Sequence, residues 1–394
     1  MHVRFLPFLL AVVLLLPLGT GARVSAQGPA PFEINTILAL TGPAAFIGGS
    51  EQKALGILED LVNKSGGIKG RPIHFAIVDD QSNPSVSVQL VNGLLAKKPA
   101  VILGPSFTAT CLADGPLLAK TGPVDYCFSP SISPAPGSYQ YSSTVSTRDD
   151  ARAVAHYYRD RGWTRIALMT STDASGQQFE QYFDDALALP ENASLKLVAR
   201  EHWADTDLSI TAQAERIKAS DAQAMIGWSA GTPTGTLLRG LHDAGVDLPI
   251  ACGNGNMVYE QLAGYAAFLP TNLLFPGRRA LVLDPAAPAA VHTAEVTYFN
   301  ALKAGGLRST LLTTLGWDPA MLVIDGFKKL GTDATAEQLN DYIQHTKGWA
   351  GINGVYDFTD GSQRGIGIDG VVIERWDSAK GDFVAVSKPG GGLK

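Results

Sequence analysis

The chain predicts an α/β fold of two doubly wound lobes, each built on a parallel sheet. Three observations carry this. Strand-like and helix-like segments alternate from 32 to 130 and again from about 148 to 253, the pattern that lays a parallel sheet under helices on both faces. The 394 residues leave room for two core-building domains. A content of 45% hydrophobic, 17% charged and 8% aromatic residues is that of an ordinary globular protein.

The N-terminus reads as a leader. Arg4 precedes "FLPFLLAVVLLLPL", an apolar run of signal-peptide length, and Val24 and Ala26 are small residues at the third and first positions before a cut expected after Ala26. The run is short for a membrane span and is broken by Pro7 and Pro17. No cysteine follows it to accept a lipid. Removing residues 1–26 (394 − 26 = 368 left) takes away Arg4 and Arg23 and moves the net charge from −6 to −8. The mature chain is therefore expected in the periplasm and not membrane-spanning. An acidic chain without a Lys/Arg block argues against a nucleic-acid surface. The seven histidines are scattered, none at zinc spacing from a cysteine, so neither metal nor cofactor is expected. In an oxidising compartment one pair among Cys111, Cys127 and Cys252 could bridge; Cys111 with Cys127 is the expected pair, and three buried thiols are the alternative.

Along the chain, "FEINTILAL" (32–40) reads as a buried strand. "SEQKALGILEDLVNKSG" (50–66) reads as a helix, with Ala54, Leu55, Leu58, Leu61 and Val62 near helical spacing, Ser50 as N-cap and Gly66 as the stop. "GGIKGRP" is the tight return into the strand "PIHFAIVDD" (72–80). Asp79 and Asp80 end that strand, where open sheets place their ligand crevice; the plainer reading, that they brace the "SNP" turn, is preferred. A helix at 85–97, the strand "AVILG", a helix at 109–122 with a proline inside and the strand "PVDYCFS" follow. The second set runs through helices at 148–162, 176–189, 208–220 and 234–245 and strands at 165–171, 195–203, 224–229 and 249–253. Helical segments resume at 289–306 and 310–331, and the tail from 355 reads as short strands with turns.

In order, "LTGPAAFIGG", "GGIKGRP", "VDD", "ILGPSFTAT", "CFSPSIS", "DASGQ", "GWDPAM" and "GVYDFTDG" resemble the periplasmic solute-binding proteins of ABC transporters of the branched-chain amino acid type, over about 33–385. The resemblance implies the type I periplasmic binding fold, two lobes joined by three crossings, with the ligand trapped between them. One lobe would hold 32–147 and 276–350, the other 148–275 and 351–394. Permease subunits of an ABC transporter would be the partners.

The resemblance also implies a site. Thr108 stands where the family places a ligand-binding hydroxyl, and the loop "GPSFTAT" opens a helix whose first N–H groups suit an anion such as a ligand carboxylate. Ser131 and Ser133 lie on the next loop, with Ser106 and Ser129 as further hydroxyls. Phe46, Ile47 and Trp228 would form walls, and Asn254 ends a strand at the cleft edge. Two departures stand out. Where the amino acid binders carry an acid for the ligand's ammonium, this chain has Pro233 between Thr232 and Thr234; where an aromatic is frequent, it has Ser175. Either Asp173 pairs with an ammonium, or the ligand is a carboxylate without an amine, because an unpaired ammonium in a closed cleft is costly. Arg278 and Arg279 could add positive charge for an acid, or be solvated or bridge the lobes. An exported enzyme is disfavoured, since the Gly-rich loop "TGPAAFIGG" is not a dinucleotide GxGxxG, no P-loop is present and no Ser/His/Asp set is implied by spacing. A sensor handing occupancy to a membrane receptor would carry the same site.

Overall fold

A computed structural model describes residues 1–3, 29–229, 231, 233–281, 283 and 287–394. Apart from its first three residues, the expected leader, with its cut after Ala26, lies outside the described residues. β1 (Phe32–Leu38), β2 (Ile73–Asp79), β3 (Val101–Leu103), β4 (Val124–Cys127) and β5 (Gln140–Ser142) form one sheet in the order β2-β1-β3-β4-β5, every pair parallel. β6 (Arg165–Ser171), β7 (Lys196–Trp203), β8 (Ala224–Trp228), β9 (Ile250–Cys252) and β10 (Leu273–Arg278) repeat that winding as β7-β6-β8-β9-β10, again parallel. β11 (Lys347–Ala350) and β12 (Val355–Asp357) make a separate antiparallel pair. β13 (Val371–Asp377) then returns to the second sheet beside β10, and β14 (Asp382–Ala385) lies outside it, both antiparallel.

Each sheet therefore reverses its winding between its first and third strands, and such a switch point opens a crevice at the strands' C-terminal ends. The chain passes between the lobes after β5, after β10 and after β12. The boundary expected at 276 falls inside β10, whose pairing with β13 runs on to Arg278. The return expected at 351 falls between β11 and β12. These strands are held to the first lobe by buried Asp318, which accepts from Ile352 N (2.9 Å), Asn353 N (3.0 Å), Asn353 Nδ2 (2.9 Å) and Tyr356 Oη (2.8 Å).

The first helix corrects one expectation. It spans Ala45–Lys64, so Ser50 is not its cap; the Ser50 hydroxyl donates back to Phe46 O at 2.8 Å inside the helix. The glycines at 48 and 49 read as a loop, yet Gly48 is needed for packing: a Cβ there would lie 2.2 Å from Ala39 O. The helix presses Leu55, Leu58 and Val62 onto the sheet at the i, i+3, i+7 spacing of a buried face. Asn63 clamps the start of β2, donating to Ile73 O (3.0 Å) and accepting from Ile73 N (2.7 Å). The segment read as one helix at 310–331 is two, Leu311–Leu315 and Trp317–Leu330, parted at Gly316, where a Cβ would meet the Phe128 ring at 3.0 Å.

Asp79 and Asp80 are structural. Asp79 Oδ1 accepts from Leu40 N (2.8 Å), Thr41 N (3.2 Å) and Gln81 N (2.8 Å), Oδ2 accepts from Thr41 Oγ1 (2.7 Å), and Asp80 Oδ1 accepts from Ser82 N (2.8 Å). They tie the loop after β1 to the loop after β2. Burial and these bonds act oppositely on Asp79, and the four hydrogen bonds leave it below the usual carboxylate range.

Other carboxyls are pushed the opposite way by burial: Glu51 up to about 8, Asp114 to about 7 and Glu374 to about 8. The folded protein keeps these protons while the unfolded chain releases them near 4 to 4.5. Stability from this source is full below that range and is lost as pH rises towards 8. Carboxylates held low, Asp79 and Asp357 among them, work in reverse and are lost in acid. The melting temperature is expected to be higher near about pH 5 than near about pH 8.5; thermal melts across that interval check it, and an equal or higher value at the alkaline end would refute it.

Candidate functional site

A narrow cleft, with a cavity of about 50 Å³, opens between the lobes at the two switch points. From the first lobe come Ile47, Ser106, Phe107, Thr108, Ser129, Pro130 and Ser131, with Leu311, Leu312 and Leu315 as an apolar floor. From the second come Ser175, Trp228, Ser229, Gly253, Asn254 and Gly255. Among the described residues, no charged side chain lines it.

The loop after β3 is shaped by Gly104, at φ +83°, where a Cβ would lie 2.0 Å from Ile37 O. That close crossing over β1 delivers Ser106 and starts the helix Thr108–Leu118 at the cleft. Thr108 Oγ1 and Ser129 Oγ are 2.8 Å apart, Ser131 N donates to Ser129 Oγ at 3.3 Å, and Ser131 Oγ lies 2.9 Å from Thr147 Oγ1. Cys111, in the helix, is bonded to Cys127, the last residue of β4, with Cα atoms 6.0 Å apart. The bridge fastens the Thr108 loop to the Ser129 loop. Cys252 is a buried thiol, pushed up by burial. Ser106 is hydrogen-bonded to Glu51 Oε2, a fully buried carboxyl of the first helix.

On the other side, Trp228 is buried and stacks on Phe179 with ring centroids 3.8 Å apart. Asn254 Nδ2 donates to Asp150 Oδ2 at 2.7 Å, so its amide is oriented from behind. Asp150 in turn is gripped by Arg278, at 2.6 and 3.1 Å. Arg278 is fully buried and also donates to Thr144 Oγ1 (3.0 Å) and Val145 O (3.1 Å). It bridges the first crossing to the second lobe and is neither solvated nor among the lining residues. Arg279 is half-buried and engaged elsewhere.

Besides the two arginines, three residues named from sequence lie off the lining. Asp173 caps the helix Ala174–Leu187, its Oδ1 accepting from Gly176 N (2.7 Å) and Ser171 Oγ (2.8 Å). Ser133 meets Tyr182 Oη across the lobes at 2.8 Å. Phe46 sits against Gly231, where a Cβ would lie 3.3 Å from its ring. Sequence reasoning missed Phe107, Ser229, Gly253, Gly255 and the three leucines. Ser229 follows Trp228 at the end of β8 and was findable from the switch-point rule; the leucines looked like core.

The profile of the periplasmic binding protein family matches residues 31–381, and the chain belongs to that family. It is a ligand binder, not an enzyme. It is similar to Leu/Ile/Val-binding protein homolog 3 of Brucella melitensis, 23% identical over 322 residues, which is 79% of this chain and 84% of the relative. It is also similar to Leu/Ile/Val-binding protein BraC3 of Rhizobium johnstonii, 24% identical over 57% of this chain and 62% of the relative. Among solved structures, an extracellular ligand-binding receptor from Rhodopseudomonas palustris HaA2 superposes with a TM-score of 0.78 at 21% identity, covering 91% of this chain and 100% of that one. The branched-chain amino acid transporter substrate binding protein LivJ of Streptococcus pneumoniae, in complex with isoleucine, gives 0.74 at 18% identity, over 90% and 98%.

Proposed function

We propose that this protein is the extracytoplasmic solute-binding component of an ABC importer, capturing a small carboxylate-bearing solute with an apolar tail when its lobes close about the crossings. The observation that carries this is the make-up of the cleft. Hydroxyls at Ser106, Thr108, Ser129 and Ser131 gather at the N-terminus of an eleven-residue helix, which suits a carboxylate. Leucines, Ile47 and the stacked Trp228 supply an apolar wall for the remainder. The names of the curated relatives, Leu/Ile/Val-binding proteins, point to the same size and polarity.

A second reading of the solute follows from the absence of any charged side chain among the described lining residues. Asp173 is occupied as a helix cap and stands off the lining, so a ligand ammonium has no counter-charge there. Plain carboxylates therefore compete with amino acids as the solute. Thermal-shift assays on protein stripped by unfolding and refolding, with leucine against 4-methylvalerate and phenylalanine against phenylpropionate, decide between them, because a ligand of the folded state raises the melting temperature. No shift with either kind of acid would remove the carboxylate reading. Thr108→Ala is expected to weaken the binding of whichever acid shifts the protein by about 1–3 kcal/mol, the range for leaving a buried partner unsatisfied; isothermal titration measures it, and an unchanged affinity would take Thr108 out of the site.

A further inference from the structure

Glu51 is the anomaly beside the cleft. It lies in the helix Ala45–Lys64, is fully buried, bonds through Oε2 to Ser106, and its Oε1 has no hydrogen-bond partner. A buried carboxylate is normally paired with a cation or saturated with donors. Among the described residues, none of the groups on the neighbouring elements supplies this. His74 of β2 reaches Glu59 instead, and Asp79 is bound by the loop after β1. Asp318 is held by Ile352, Asn353 and Tyr356, while Glu295 of the helix Ala289–Ala304 is engaged elsewhere. The helix Leu311–Leu315 carries no titratable group. The charge that does act on Glu51 is Asp80, which is of the same sign.

We infer that Glu51 is a positioning residue of the cleft, whose protonated carboxyl donates to the Ser106 hydroxyl oxygen and so turns the Ser106 O–H towards a bound carboxylate. This rests on the carboxylate reading above. The alternative proton arrangement is unfavourable for an anion on two counts. An ionised Glu51 is acceptor-only, so Ser106 must donate to it and presents only lone pairs to the cleft. A negative charge would also stand directly behind the site in a medium that screens it poorly. Burial, the dominant influence, keeps the Glu51 proton up to about pH 8, against the lowering effect of Ser106. Capture of a carboxylate above that pH must therefore take up a proton.

The test has two arms. Infrared difference spectra of ligand-free wild type against Glu51→Gln, at neutral pH, report whether Glu51 carries a proton; the expected result is a protonated-carboxyl band present only in wild type and lost on alkaline titration. Absence of that band overturns the inference without any ligand. The second arm measures 4-methylvalerate binding by titration calorimetry between about pH 6.5 and about pH 9.5; in wild type the dissociation constant should rise about tenfold per pH unit above the Glu51 pKa, as one linked proton requires. In Glu51→Gln, whose amide donates at every pH, that dependence should vanish. A flat wild-type profile, or the same slope in both proteins, overturns the positioning role even if the band is found. If the band is present but 4-methylvalerate binds at no pH, the carboxylate reading has failed and the linkage falls with it.

Discussion

Arg278→Ala is expected to destabilise the protein by about 3–5 kcal/mol, the range for breaking one partner out of a buried ion pair. Both side chains of the Arg278–Asp150 pair are fully buried. Removing the guanidinium leaves Asp150, among the described residues, with Asn254 Nδ2 as its one side-chain donor, and it also strips Thr144 Oγ1 and Val145 O of a donor at the first crossing. Burial already holds the Asp150 carboxyl up at about 6 despite Arg278; without the arginine it rises further, and folding at neutral pH then carries either a protonation or a bare buried charge. Replacing both partners, as in Arg278→Met with Asp150→Leu, should recover part of the loss, because hydrophobic substitutes leave no buried charge unpaired. Denaturant unfolding gives all three values. A single-mutant loss under about 1 kcal/mol would mean the pair is solvated in solution, contrary to its burial.

Reduction of the Cys111–Cys127 bond is expected to lower stability by about 3 kcal/mol, the loop-entropy value for a short loop, here one of sequence separation 16. The effect should reach the site, because the bond fastens the Thr108 helix to the end of β4, just ahead of Ser129. Unfolding midpoints with and without reductant measure the first part. Alkylation in denaturant checks the bond itself: untreated protein should label at Cys252 alone and reduced protein at all three cysteines. Labelling of all three without reductant would show the bond is not formed.

The fold was legible in the sequence wherever local pattern and tertiary role agree. Alternating apolar strands and amphipathic helices specify a parallel sheet with little help from context, and both halves show them. It was illegible where packing overrides propensity. Gly48 is kept within a helix because the helix passes so close to Ala39, just after β1, that a side chain there has no room. Gly316 parts two helices against Phe128, where the apolar period alone runs straight through. β5 is three residues long in a Pro- and Ser-rich stretch, too short to announce itself. At the cleft, the hydroxyls were named because their loops, after β3 and β4, resemble those of the family, and the tryptophan because it ends a strand. Leu311, Leu312 and Leu315 were not, since nothing in a run of leucines tells a cleft floor from a core.

β13 has a consequence for how the chain reaches this structure. Its partner in the ladder is β10, with Phe275 opposite Glu374, and nearly all of the sequence between them belongs to the other lobe. Neither lobe is thus a continuous stretch of chain. No single cut yields two self-sufficient halves, and the second sheet keeps an open edge at β10 until β13 arrives. Such distant pairings are slow to close, and an uncovered edge strand invites pairing with other chains while it waits. The seven-stranded sheet is therefore the part of the molecule most exposed to misassembly, and a folding helper would be of most use at that unclosed flank.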